Sequence, residues 1–275
     1  MVTRISIAVA LGLTILLAGC FDLDDSLFNK KQLSSYTLGT AVIPESQREF
    51  VELNSQGKRI YGYFVTSNGA HPDITILYCH GNRDHLQFYW DRVELLYRIG
   101  CNVFIFDYQG FGMSEGTPSE GALYADGHVA LEYLLHRPGV DRSKIVFYGF
   151  SLGNVVTFNL GATEFTPKVI IAEAPFASAD ALVQSGTLLD IPGSYVMKGE
   201  YRNDEKIKSI HAPLLLMHGI DDKFIDIEKN STVIFRNAND PKEFVRVPGA
   251  DHSGIPAAMG EAAYCDTVRN FILRY

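Results

Sequence analysis

The sequence predicts an α/β fold, with an eight-stranded, mostly parallel sheet flanked by helices. Three observations predict it. Eight β-rich apolar runs punctuate the chain, the later ones are almost continuously apolar, as strands covered on both faces must be, and helix-length segments separate those later runs. Strands that alternate with helices imply parallel pairing through right-handed crossovers.

In order, the runs are Arg48 to Leu53, Arg59 to Thr66, Ile74 to Cys79, Asn102 to Tyr108, Lys144 to Gly149, Lys168 to Glu173, Pro213 to His218 and Glu243 to Val247. The first two alternate polar and apolar residues and lie close together, as antiparallel edge strands do. Leu86 to Ile99, Glu120 to Leu135 and Leu152 to Ala162 are the crossover helices expected between later strands. About residues 175–211, between the sixth and seventh runs, there is room for one or two helices but not for a further domain.

The run ending at Tyr148 leads into Gly149-Phe150-Ser151-Leu152-Gly153 and then into the helix-compatible Asn154 to Phe158. A GxSxG pattern between strand and helix is a nucleophile elbow: a tight turn lifts the serine above the sheet, and small residues two positions either side let strand and helix pack closely. Ser151 is therefore the candidate nucleophile. A serine hydroxyl needs a base to take its proton and an acid to hold that base in the right tautomer. In this context the partners follow in the order serine, acid, histidine. Past the seventh run come Gly219, Ile220, Asp221 and Asp222, and past the eighth Pro248-Gly249-Ala250-Asp251-His252. Asp222 is the candidate acid and His252 the candidate base.

At these positions the chain resembles the α/β-hydrolase superfamily, from about residue 45 to the end. The matching pieces are His80-Gly81-Asn82, Asp107 to Ser114, Gly149 to Gly153, His218 to Asp222 and Gly249 to His252. Within the superfamily it is similar to the small, nearly lidless serine hydrolases that include protein depalmitoylases and many bacterial esterases. The resemblance implies an acid three residues beyond the glycine of His218-Gly219, favouring Asp222 over Asp221 and the weaker competitor Asp226. It also implies an oxyanion hole made of the backbone N–H groups of Leu152 and Asn82, since such preorganised donors stabilise a tetrahedral intermediate. Relatives usually carry a small residue where this chain has Arg83. That guanidinium either recognises an anionic substrate group or packs, exposed, on the surface. His80 and His218 are expected to shape loops, and Asp107 to anchor loop amides. Phe176, Leu188, Leu189, Tyr195, Val196 and Met197 are expected either to border an accessible site or to be core residues of a connecting helix.

The N-terminus is read separately. One positive charge within Met1 to Arg4, an apolar run from Ile5 to Leu17, and a small-residue end have the architecture of a secretory signal. Leu17-Ala18-Gly19-Cys20 resembles a bacterial lipobox, which implies cleavage after residue 19, a lipid on Cys20, and a protein held on a membrane of the bacterial envelope, facing the periplasm or exterior. An uncleaved signal anchor is the rival. Residues 20–40 are expected to be a tether and 41–275 the catalytic domain.

Cleavage removes Arg4 and leaves 23 basic against 32 acidic residues, a net charge of −9. That balance argues against nucleic acid as a partner. Cys79, Cys101 and Cys265 remain, an odd number expected to be buried without a disulfide. The histidines are scattered, with no HExxH or paired CxxC to hold a metal, and Gly110-Phe111-Gly112 lacks the third glycine of a dinucleotide fingerprint, so no cofactor is called for. The expectation is a monomeric serine hydrolase acting on a small or lipid-like acyl ester or thioester. Two alternatives remain: a serine peptidase of the same fold, and an inactive binding protein that inherited it.

Overall fold

The computed structural model describes residues 27–186, 193 and 197–275. The expected signal sequence, Cys20 and the positions Leu188, Leu189, Tyr195 and Val196 lie outside the described residues.

Every expected run forms a strand: β1 Arg48–Ser55, β2 Lys58–Val65, β3 Thr75–Cys79, β4 Asn102–Phe106, β5 Ile145–Phe150, β6 Ile170–Glu173, β7 Leu214–Gly219 and β8 Lys242–Val247. They make one sheet in the order β1-β2-β4-β3-β5-β6-β7-β8. β2 is antiparallel to both β1 and β4, and the pairings from β4 through β8 are parallel. The β1–β2 hairpin turns on Gln56 and Gly57, both left-handed (φ 52° and 77°), as a two-residue loop matched to strand twist requires.

Eight α-helices are described: α1 Trp90–Arg98, α2 Glu120–His136, α3 Gly153–Thr163, α4 Ala179–Gly186, α5 Asn203–Lys206, α6 Ser231–Asn237, α7 Ile255–Met259 and α8 Glu261–Arg274. The expected helix Leu86 to Ile99 is in fact a 3₁₀ turn, Leu86–Tyr89, running into α1. Successive strand side chains point to opposite faces, so each central strand feeds two cores. Leu77, Phe104, Phe147 and Leu216 pack with Leu131 of α2 and Val156 of α3. Ile76, Ile105, Tyr148 and Met217 pack with Leu96 of α1 and Val268 of α8. Helices on both faces explain why these strands read as continuous apolar runs.

The tether expected through residue 40 is corrected from Leu27 onward. Leu27 and Phe28 are buried in the same core as Phe111 and Leu123. The following residues run alongside two loops: Lys31 N–H donates to Asp84 O (3.0 Å), Asp84 N–H to Asn29 O (2.8 Å), and Leu33 N–H to Gly112 O (2.8 Å). Tyr36 OH donates to Asp107 Oδ2 (2.5 Å). The polar composition of this segment, Asn29 to Ser35, is that of a linker. Its backbone nevertheless finds partners on the sheet's loops, and two apolar side chains anchor it. Phe28→Ala should lower the unfolding free energy by about 3–5 kcal/mol, the usual loss for emptying a buried aromatic site. Chemical denaturation checks this, and a change within about 0.5 kcal/mol would mean the segment is a tether after all.

Candidate active site

β5 ends in the turn that carries Ser151, and α3 starts two residues later. Ser151 sits in the left-handed region at φ 51°. A Cβ on Gly153 would lie 1.9 Å from the Cys79 carbonyl oxygen and one on Gly149 2.6 Å from Asn154 Oδ1, so the close approach of β5, α3 and β3 excludes side chains at both positions. Ser151 N–H donates to the Glu173 carbonyl (2.9 Å), and the buried Asn154 amide donates to the carbonyls of both Ser151 and Glu173 (3.0 Å each). The turn is thereby strapped to the end of β6.

His252, on the loop after β8, reaches Ser151: its Nε2 lies 2.9 Å from Ser151 Oγ and its Nδ1 2.7 Å from Asp222 Oδ2. A carboxylate only accepts, so Nδ1 carries the hydrogen and Nε2 is left to accept from the Ser151 hydroxyl. Asp222 has a fully buried side chain. Its Oδ1 accepts from the backbone N–H groups of Phe224 (2.8 Å) and Ile225 (2.9 Å), and its Oδ2 also faces His218 Nε2 at 3.1 Å. Burial by itself would raise this carboxyl's pKa. Hydrogen bonds from His218 and His252, the charge of His252 and the Ile225 amide outweigh burial and hold it well below the usual carboxylate range.

The competing acids are engaged elsewhere. Asp221 Oδ2 accepts from Gly249 N–H (2.9 Å) and Asp226 Oδ1 from Lys229 N–H (2.8 Å). His218 Nε2 also faces the Ile225 carbonyl (3.0 Å), which can only accept, so Nε2 carries the hydrogen and Nδ1 meets the Ser231 hydroxyl (2.5 Å). His218 therefore buttresses Asp222.

Asn82 lies in the loop after β3, and the backbone N–H groups of Asn82 and Leu152 donate to no partner among the described residues. The Asn82 side chain donates instead to Leu27 O (2.7 Å), so the N-terminal segment holds this loop. Asp107 anchors the same loop by accepting from Leu86 N–H (2.6 Å). His80 Nδ1 donates to the Gly81 carbonyl (2.7 Å). Of the two readings of Arg83, the structure has the exposed one: the side chain is 61% accessible, stacks over Phe88 at 4.6 Å and lies 3.6 Å from Asp84. Phe176 and Met197 are buried residues of the core.

The residues that sequence reasoning missed lie directly beneath. Glu173, the last residue of β6, is completely buried and paired with Arg92 of α1. Tyr148 OH and Tyr264 OH also donate to the Glu173 carboxylate, Tyr264 at 3.0 Å. Burial opposes the Arg92 charge, yet the adjacent Glu173 carboxylate outweighs it and holds the guanidinium firmly protonated. Burial first, then Glu173, pushes the Tyr148 hydroxyl far up, so it remains a neutral donor. Arg92 lies 5.3 Å from the Phe150 ring centre and donates to the Ser253 carbonyl (3.4 Å), next to His252. The signal was present in the sequence: a glutamate inside the apolar run Ile170-Ile171-Ala172-Glu173 must be buried, and a buried carboxylate needs partners.

Above the histidine is a shallow depression of about 510 Å³, lined by Asp222, Phe224, Asp251 and His252 among others. Phe150 and Phe224 flank the His252 ring at 5.3 and 5.1 Å. Among the described residues no three His, Cys, Asp or Glu side chains cluster to hold a metal.

Fold and site together define a class, the α/β hydrolases. The family model described as "Serine aminopeptidase, S33" matches residues 70–203. The uncharacterised protein YfhR of Salmonella typhi is 32% identical over 234 residues, covering 78% of each chain. Alpha/beta hydrolase domain-containing protein 17B of Xenopus tropicalis is 32% identical over 210 residues, 75% of this chain and 69% of that protein. Among solved structures, an esterase from Pyrococcus furiosus superposes with a TM-score of 0.73 at 20% identity, covering 90% of this chain and 97% of its own. Est1E from Butyrivibrio proteoclasticus, seen with ferulic acid, superposes with a TM-score of 0.67 at 19% identity over 82% of this chain and 98% of its own. The chain belongs to the α/β-hydrolase family and is a hydrolase.

Two outcomes follow from the buried charges. Arg92→Ala leaves Glu173 without its cation and should cost about 3–5 kcal/mol of stability in urea unfolding, as breaking a buried pair does; a loss below about 1 kcal/mol would contradict the burial. Asp222 binds its proton less readily folded than unfolded. Its contribution to stability is therefore complete above the ordinary carboxylate value near ~4 and is lost as pH falls towards the depressed folded value. Stability measured from pH 6 down to 2 should fall less steeply in Asp222→Asn than in the unchanged chain, and parallel curves would refute the assignment.

Proposed function

We propose that the chain cleaves acyl esters or thioesters through Ser151, His252 and Asp222. The observation that carries this reading is the continuous line Asp222–His252–Ser151, 2.7 and 2.9 Å long, in the only tautomer that leaves Nε2 free to take the serine proton. His252 removes the Ser151 proton as Oγ attacks the acyl carbonyl, and the N–H groups of Asn82 and Leu152 receive the developing oxyanion. The imidazolium then protonates the departing alcohol or thiol. Water, deprotonated by His252, attacks the acyl enzyme and releases the acid. Asp222 keeps the imidazole in register and balances its positive charge throughout.

The superposable esterase of Pyrococcus furiosus and Est1E of Butyrivibrio proteoclasticus support an ester substrate, as does a site whose walls near the histidine are aromatic. We further propose that Cys20 carries a lipid, so that the hydrolase works as a monomer on a bacterial envelope membrane.

Peptide cleavage is the second reading, drawn from the aminopeptidase description of the family model. It requires a free carboxylate for the substrate amine. Asp221 and Asp251 are near, but their carboxylates accept from the backbone N–H groups of Gly249 and Ser253. Hydrolysis of p-nitrophenyl esters together with inertness towards aminoacyl p-nitroanilides is the expected pattern, and the reverse pattern would replace the ester reading.

Ser151→Ala should remain folded, lose at least about 10³-fold in kcat on p-nitrophenyl butyrate, and cease to react with a fluorophosphonate probe. Full activity in that variant, or failure of the unchanged, folded chain to take the probe, would reject Ser151 as nucleophile; the second result would favour an inactive binding protein.

A further inference from the structure

Six large hydrophobic side chains are exposed among the described residues: Phe50, Phe88, Ile220, Phe224, Leu273 and Tyr275. Three of them, Phe88 (44%) on the 3₁₀ turn that follows β3, and Ile220 (48%) and Phe224 (49%) on the loop just beyond β7, lie in connections that follow the carboxyl ends of their strands, the end of the sheet that carries Ser151. A continuous row of ring contacts ties two of them to the site. It runs from Phe88 to Tyr89 (5.1 Å), Tyr89 to Phe150 (6.0 Å), Phe150 to His252 (5.3 Å) and His252 to Phe224 (5.1 Å). Phe88 and Phe224 are its two exposed ends, one on each side of the histidine.

The N-terminal segment enters the described fold at the same rim, where Leu27 O accepts from the Asn82 side chain (2.7 Å). Between Cys20 and Leu27 lie only Phe21, Asp22, Leu23, Asp24, Asp25 and Ser26. Seven steps of extended chain reach at most about 25 Å. A lipid on Cys20 therefore keeps the rim where Leu27 enters, beside Asn82, within about 25 Å of the membrane surface.

We infer that the rim formed by Phe88, Ile220 and Phe224 is the face that rests on the lipid bilayer, so that acyl chains reach Ser151 directly from the membrane interface. The inference rests on the proposed lipidation of Cys20 and on the hydrolase reading. Charge does not carry the contact. Arg83 and Lys223 lie on this face, but so do Asp84, Asp221 and Asp251, which makes it mixed in sign. Apolar insertion and the short tether orient the molecule, and the contact should hold on zwitterionic lipid at high salt.

The test uses the full chain, expressed in bacteria with its signal, purified from membranes and reconstituted into phosphatidylcholine vesicles in 0.5 M salt. Phe88→Cys and Ile220→Cys each receive a nitroxide label, with Arg142→Cys, exposed at the opposite end of the sheet before β5, as the control. Cys79, Cys101 and Cys265 are buried and should not take the label. The labels at 88 and 220 should lose at least five-fold in collision rate with an aqueous nickel chelate when the protein is on vesicles, while that at 142 stays unchanged. Equal accessibility at all three positions on vesicle-bound protein overturns the inference. Recovery of the unchanged chain in the aqueous fraction overturns both the anchor and the inference. In either case hydrolysis of p-nitrophenyl butyrate by the same samples shows separately whether the hydrolase reading stands.

Discussion

Glu173 is the residue around which the site is assembled. Its carbonyl receives the Ser151 N–H and the Asn154 amide, and its carboxylate receives Arg92 and two tyrosine hydroxyls. Arg92 continues to the Ser253 carbonyl beside His252 and lies near the Phe150 ring on which that histidine leans. The serine turn follows β5 and the histidine loop follows β8, with β6 and β7 between them, and this one residue with its cation couples their positions. A buried ion pair is costly to desolvate and is tolerated only when its remaining valences are filled. Tyr148, Tyr264 and the Ser253 carbonyl fill them, so the pair contributes fixed geometry more than net stability.

A second constraint acts from the other side. The Asn82 loop is held by Asp107 through the Leu86 amide, by Tyr89 through the Arg83 amide (3.1 Å), and by the N-terminal segment through Leu27 and Asn29. Anchoring of this kind holds the loop that carries the backbone N–H of Asn82, which like that of Leu152 has no partner among the described residues, as the proposed oxyanion role requires.

Most of this architecture was legible because burial on two faces forces long apolar runs, and all eight strands lie within two residues of where the runs begin and end. The elbow and His252 were legible for a local reason: glycines where backbones touch, and a histidine just past a strand. Asp222 needed more, since Asp221 is identical in local setting; only the fold shows that Asp221 closes onto Gly249 while Asp222 turns inward to His252. The N-terminal segment was misread because its composition is polar and its two anchoring residues, Leu27 and Phe28, form no periodic pattern. The Glu173 network joins positions 92, 148, 173 and 264, so its only trace in the sequence is one charged residue in a strand that ought to have none.

Ser151 sits at a φ of 51°, where any residue with a Cβ is uncomfortable and glycine is not. The residue assigned the chemistry is thus one the backbone itself would trade away. Random substitution at 151 samples a conflict in which the change most favourable to the turn abolishes the hydroxyl, so thermal robustness and turnover are opposed at a single codon. Selection for heat resistance alone would be free to erode the site from its centre outwards.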